Sequence, residues 1–362
     1  MKDEVMYSPK SAWTLYRDEA RKKAVFDFAE RYRQFLGRCK TERETVLYVA
    51  ETLREHGFSE DPAAPKTFRV LRDKAVFAAR KGDRPLAEGL SLIAAHADSP
   101  RLDFKQRPLI EQADVAQAKT HYYGGIRKYQ WLSRPLALHG VIVRENGERI
   151  AVRVGEQPGE PVFCVADLLP HLAQKQNEQT VKEAFEGEKL NVILGHTPAV
   201  TEEEKDESKE PVKRALLEFL HSEYGICEED LITAELEVVP AGPAQYVGFD
   251  RGLIGAYGHD DRICVFTALE AFLESGDEGP AKALVFWDKE EIGSDGATGA
   301  SSRFLQYCVE DVARAWEPET PASHVLLASR ALSSDVTAAI DPDFQDLHEK
   351  QNSARLGYGP CF

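Results

Sequence analysis

The chain has 362 residues, of which 43% are hydrophobic and 29% charged, and its formal net charge is -16. It is long enough for two domains and a large core, and its negative balance argues against nucleic acid or an anionic membrane as a partner. No run approaches the roughly 18 apolar residues of a membrane span, and neither the N-terminal MKDEVMYSPKSAW nor the scattered cysteines Cys39, Cys164, Cys227, Cys264, Cys308 and Cys361 suggest secretion or a disulfide framework, so a cytoplasmic protein is expected.

The first 57 residues read as helical. An apolar stripe runs from Ala12, Leu15 and Tyr16 through Val25, Phe28, Ala29 and Tyr32 at helical spacing. Thr41-Glu42-Arg43-Glu44 is a capping signal for a second helix that ends at Gly57. Strand-like FRVL (68–71), VFAAR (76–80) and LSLIAAHAD (90–98) follow. From about residue 105 short β-like runs dominate: HGVIVR (139–144), RIAVRV (149–154), VFCV (162–165) and TAELEVV (233–239). The charged run at 201–210 reads as a solvated loop, and ALLEFLHSEYG as a helix ending at Gly225. After about residue 247 helices and strands alternate again: ICVFTALEAFLES (263–275) as helix, AKALVFWD (281–288) as buried strand, about 300–316 as helix, and HVLLASRAL (324–332) as strand. The expected architecture is α/β: one discontinuous domain, residues 1–104 and 247–362, carrying a β-rich insertion at 105–246.

Chemistry concentrates where apolar runs end. His96-Ala97-Asp98, Asp288-Lys289-Glu290-Glu291 and Ser333-Ser334-Asp335 each close such a run, and His259-Asp260-Asp261 opens one. In an open α/β sheet the carboxyl ends of strands are where sites form. One histidine and several carboxylates there suit divalent zinc, manganese or cobalt. Asp98 can orient the His96 imidazole or approach the site itself. One of Asp260 and Asp261 can bridge two ions. Of Glu290 and Glu291, one can ligate metal while the other faces the attacking water. Taken singly, each cluster is equally a surface histidine, a helix-start carboxylate pair or a turn aspartate. Their joint order favours a two-metal hydrolase.

At these residues the chain resembles the M18 metallopeptidases, the aspartyl aminopeptidase family, and within it the bacterial branch. The matching stretches are HADSPRLD (96–103), YYGGIRKYQWLSRPLALHGVIV (122–143), GFDRGLIGAYGHDDRICVFTAL (248–269), DKEEIGSDGATGASSRFL (288–305) and SSDVTAAIDPDF (333–344). The resemblance implies a zinc-peptidase-like α/β/α catalytic domain with an inserted dimerisation domain, and dimers assembled into a dodecamer. It implies an exopeptidase acting on peptides, acidic N-terminal residues by default, with two divalent ions, usually zinc and sometimes cobalt or manganese. By motif match, His96, Asp260 and Asp335 would hold the first ion and Asp260 and Glu291 the second. Glu290 would be the general base, and Asp98 would orient His96. His171, in DLLPHL (167–172), would enter the neighbouring subunit's site.

The family pattern continues past GYGPCF (357–362) and supplies a last metal-ligating histidine there. The 362-residue chain is therefore expected to bind one divalent ion well and the second poorly and to have little or no peptidase activity, with His348 the first substitute to consider. Competing readings are an impaired subunit that still assembles, and another hydrolase of the same fold, such as a carboxypeptidase or deacylase.

Overall fold

A computed structural model of the chain describes Val5 and residues 8–199 and 209–362. The acidic run at 201–210 lies outside the described residues apart from Lys209 and Glu210. Two helices open the fold. Helix α1 (Glu19–Arg38) starts where the Asp18 carboxylate accepts from the Arg21 amide at 2.9 Å. It starts later than the apolar stripe suggests. Residues 12–14 form a separate 3-10 turn and Leu15 and Tyr16 stay exposed, because the Asp18 cap leaves them outside the helical register. Helix α2 (Glu42–Glu55) begins at Thr41, whose hydroxyl accepts from the Glu44 amide at 3.1 Å. Gly57, in the left-handed region at φ 81°, turns the chain away. Strands β1 (Lys66–Leu71), β2 (Ala75–Arg80) and β3 (Leu90–His96) follow.

The middle of the chain is dominated by β4 (Arg101–Gln112), β5 (Val115–Tyr123), β6 (Leu136–Val143), β7 (Arg149–Val154), β8 (Cys164–Val165), β9 (Val192–Gly195) and β10 (Glu235–Pro240). They form one seven-stranded sheet in the order β7-β6-β10-β4-β5-β9-β8. Two single-turn helices, α3 (Gln174–Asn177) and α4 (Val181–Ala184), precede β9. Helix α5 (Pro211–Tyr224) covers one face of the sheet with Leu216, Leu217 and Leu220, and stops at Gly225 with φ 62°.

The last part comprises β11 (Gln245–Val247), β12 (Leu253–Gly255), α6 (His259–Glu274), β13 (Ala281–Trp287), α7 (Phe304–Trp316), α8 (Ala322–Ala328) and β14 (Arg330–Ser333). Here the structure corrects the expected strand at 324–332: HVLLA is helical. The Val325 amide bonds back to the Pro321 carbonyl at 3.2 Å, and Ala322, Val325 and Leu326 pack on the core at i, i+3, i+4 spacing. A strand would bury alternate residues instead. Only 330–333 remain extended.

The five-stranded sheet runs β1-β2-β13-β3-β14, with β13, β3 and β14 parallel. Its central strands β2 and β13 are covered on both faces, which is why they are almost continuously apolar. Val76, Ala78, Leu284 and Phe286 face α1, α2 and α6 through Phe35, Val49, Leu53 and Phe266. Ala75, Phe77, Ala283 and Val285 face α7 and α8 through Val309, Val312 and Val325. The result is an α/β/α sandwich in which the carboxyl ends of β3, β13 and β14 lie side by side. No helix among the described residues is long and apolar enough to cross a membrane.

Buried charges join the two sheets. His139 on β6 is fully buried between the Glu44 and Glu156 carboxylates, at 2.9 Å from each. Lys40 reaches Glu156 at 3.1 Å and donates to the Pro240 and Gly242 carbonyls at 2.7 Å. Burial opposes the charge on His139, but the two carboxylates outweigh it and raise its pKa above the ordinary 6.5. The same contacts hold Glu44 and Glu156 below the usual range against their own burial.

The linkage has a definite sign. The His139 contribution is complete below about pH 6.5, the unfolded value, and is lost as pH rises through the higher folded value. The two carboxylates contribute above their unfolded values of about 4.3 and are lost only as pH falls through their lowered folded values. Replacing His139 with Gln removes the imidazolium the two carboxylates share, leaving Glu156 with Lys40 at 3.1 Å and Glu44 with Arg153 at 3.7 Å, and should cost up to about 3 kcal/mol at pH 6. The difference from wild type should shrink at pH 9. Denaturant unfolding at both pH values measures this, and a gap as large at pH 9 as at pH 6 would mean that His139 folds uncharged.

Candidate metal centre

Strand β3 ends at His96, which is 4% exposed, and delivers the imidazole to the rim of the sheet. Its Nδ1 faces Asp98 Oδ1 at 3.2 Å and the Asp98 carbonyl at 3.1 Å. Its Nε2 points the other way and is buried without a hydrogen-bond partner among the described residues. Around Nε2 stand Asp260 Oδ1 at 3.2 Å, Glu290 Oε2 at 3.8 Å and Asp335 Oδ1 at 3.8 Å. Each of these carboxylates is about half-exposed, so the cluster opens outward.

Local sequence explains each placement. Helix α6 begins with a non-helical Asp260 and Asp261 joined by a cis peptide, preceded by Gly258 at φ 85°. A Cβ on Gly258 would fall 1.7 Å from Arg262 Nη1, so only glycine permits this approach. The two aspartates lie in different places. Asp260 faces His96 Nε2, while Asp261 is fully buried and accepts from the His96 amide at 3.3 Å. After β13, Lys289 at φ 70° and Gly293 at φ 99° bracket a single 3-10 turn, residues 290–292. Asp288 anchors that turn by accepting from the Thr298 hydroxyl at 2.7 Å. Asp335 lies two residues beyond β14, the parallel neighbour of β3.

The buried Asp98 carboxylate collects four donors: His96 Nδ1 at 3.2 Å, Tyr123 Oη at 2.7 Å, and the amides of Glu290 and Glu291 at 3.2 Å each. Burial by itself would raise its pKa, but the His96 and Tyr123 hydrogen bonds hold it below the usual range. Asp98 thus faces His96 Nδ1 and not the open side of the cluster. Tyr123 carries no signal in sequence beyond its place in the YYGG stretch. Only the β4–β5 pairing brings it to Asp98.

The electrostatics ask for a cation. Burial and the nearby Asp260 charge push Glu291 up to about 7. Burial opposes the charge on His96, yet the Asp260 and Asp98 carboxylates push it up to about 11 with protein groups alone around it. Carboxylates this crowded are costly to ionise unless a positive charge lies among them. Two overlapping sets have ligand atoms within 4.8 Å of one another: His96, Asp260 and Asp335, and His96, Glu290 and Glu291. An orphaned buried imidazole nitrogen facing oxygen ligands fits a divalent ion. His171 lies elsewhere, in an exposed turn before α3. His348 accepts from the Asp341 amide at 3.4 Å and joins neither set.

Comparison with known proteins places the chain in a family. Residues 35–362 match the family described as aminopeptidase I zinc metalloprotease (M18). A probable M18 family aminopeptidase 1 of Thermotoga neapolitana is 46% identical over 92% of this chain and 74% of its own length. The crystal structure of an M18 aminopeptidase from Thermotoga maritima superposes with a TM-score of 0.90 at 42% identity, over 98% of this chain and 78% of that one. The mApe1 dodecamer of S. cerevisiae, at 21% identity and a TM-score of 0.72, covers 91% of this chain and 76% of its own and shares the fold. This chain belongs to the M18 family of zinc metallo-aminopeptidases.

Proposed function

We propose that the chain hydrolyses N-terminal residues, acidic ones by preference, from peptides with the help of two divalent ions. The observation that carries this reading is the convergence of Asp260, Glu290, Glu291 and Asp335 on the open side of one orphaned imidazole nitrogen. In it, His96, Asp260 and Asp335 would hold one ion and Asp260 and Glu291 the other, with zinc preferred over cobalt or manganese. Such ions, when bound, polarise a scissile carbonyl and stabilise the charge that develops on its oxygen.

The protein groups do the rest. Asp98 keeps the Nδ1 proton of His96, so that Nε2 offers its lone pair to the site. Glu290, half-exposed 3.8 Å from Nε2, takes a proton from the attacking water and returns it to the leaving amine. A cleft of about 670 Å³ opens beside Asp260 and gives the peptide room. Arg127 and Arg134 line it, and neither pairs with a carboxylate among the described residues, which favours a peptide carrying negative charge.

Replacing Glu290 with Gln should lower kcat about 10²–10⁴-fold while zinc content stays near that of wild type. Glu291→Gln should instead lose zinc. Turnover of aminoacyl substrates and metal stoichiometry, measured together, check both. The reverse pattern would exchange the two roles. A wild-type chain with neither zinc nor turnover would establish the impaired-subunit reading in its place.

The segment 105–246 is proposed as the dimerisation domain, with His171 reaching a neighbouring subunit's site. Support comes from the exposed Leu168, Leu169 and Leu172 around it, at 51%, 65% and 69% exposure, an apolar patch that association would bury. Sedimentation at micromolar concentration should show dimers or larger assemblies, and Leu169→Lys should weaken them. A monomer alone would count against the assignment.

A further inference from the structure

We propose that Tyr123 is a positioning residue of the aminopeptidase site, whose hydroxyl locks the Asp98 carboxylate so that Asp98 can aim His96 and hold the 290–291 turn. The inference rests on His96 being a metal ligand, as proposed above. Its geometry does not.

A carboxylate has two oxygens and about four lone-pair positions, and Asp98 fills them in pairs. Oδ1 takes His96 Nδ1 and the Glu290 amide, both at 3.2 Å. Oδ2 takes the Glu291 amide at 3.2 Å and Tyr123 Oη at 2.7 Å. The tyrosine bond is the shortest, and hydrogen bonds to an ionised acceptor strengthen as they shorten. Without it, Oδ2 would keep one long bond, and the carboxylate could turn about its last torsion. Because Asp98 is fully buried, solvent does not stand ready to replace the lost donor.

Tyr123 is itself held from the seven-stranded sheet. It pairs with Arg101 across β5 and β4, and the Arg101 guanidinium lies 3.9 Å over its ring. Arg101 is fixed by Asp103 at 2.8 Å, Glu42 at 3.1 Å and Glu237 at 3.1 Å. A chain of contacts therefore runs from the β4–β10 region through Arg101 and Tyr123 to Asp98. Gly124, at φ 70°, continues it: a Cβ there would lie 3.1 Å from Glu291 Cβ. The second sheet thus shapes both the histidine and the glutamate side of the centre.

Tyr123→Phe keeps the ring under Arg101 and removes only the hydroxyl. On the full chain, zinc affinity, measured by competition with a chelator, should fall about 10–100-fold, the usual effect of losing a partner that orients a ligand. kcat should fall with it while KM stays, and the thermal midpoint of the metal-free protein should fall by no more than the few degrees that one lost buried hydrogen bond costs. Amide hydrogen exchange on chelator-treated protein gives a reading that needs no metal: residues 290 and 291 should exchange faster in the variant, with β13 unchanged. Unchanged zinc affinity and unchanged exchange would overturn the proposal. So would a lowered thermal midpoint with unaltered zinc affinity, which would assign Tyr123 to packing alone. If wild type binds no zinc, the metal reading fails, and the exchange comparison still decides whether Tyr123 holds the turn.

Discussion

The candidate centre hangs on one buried carboxylate. Asp98 touches no open space, yet it receives the His96 ring, the Tyr123 hydroxyl and two successive amides of the turn after β13. A buried anion without donors would be strongly disfavoured. Satisfying Asp98 therefore forces three distant segments into one arrangement. With Nδ1 committed to Asp98, Nε2 is left bare toward the carboxylates opposite. With the Glu290 and Glu291 amides committed, their side chains are thrown to the other side of the turn. The polarity of the site follows from that one saturated acceptor.

Adjacent acids acquire different environments through backbone geometry rather than through chemistry of their own. Asp260 and Asp261 have identical side chains, but the non-helical start of α6 leaves one half-exposed before His96 and the other fully buried beneath it. Burial pushes Asp261 up to about 7, while it accepts from the His96 amide. Glu290 and Glu291 are separated in the same manner by a turn bracketed by two left-handed residues. Neighbouring carboxylates that differ in exposure are what a metal site needs when one group must ligate and another must move protons.

Much of the contact between the seven-stranded sheet and helix α2 is built of buried charge. Arg101 sits among Glu42, Asp103 and Glu237, and His139 among Glu44 and Glu156. Such clusters add little net stability compared with apolar packing, but they tolerate few relative orientations because each leaves a desolvated charge if displaced. That directional stiffness suits a joint whose far end, Tyr123, bonds to Asp98. It also means that a distortion of the seven-stranded sheet has a physical route to Asp98.

Much of this was legible in the residues themselves. Continuous apolar runs at 76–80, 90–96 and 281–287 are what strands covered on both faces require. Thr41 and Gly225 marked helix ends through side-chain capping and left-handed backbone, which are local effects. His96, Asp98, Asp260, Glu290, Glu291 and Asp335 stood out because charged groups closing or opening apolar runs must lie at the rim of a sheet. Local patterning failed where two states share a composition: the apolar run after Pro321 became helix α8 because its burial follows i, i+3, i+4 contacts with α7 and the sheet, which no short window reveals. Likewise, only tertiary structure decided that Asp98 faces inward, that Asp260 rather than Asp261 faces His96 Nε2, and that the Tyr123 hydroxyl meets Asp98. Those outcomes depend on contacts between residues far apart in the chain and on backbone turns whose geometry packing imposes. The sequence by itself determined which chemistry was present, because residue type sets charge and ligand character; the fold alone decided which atom meets which, because that depends on distance.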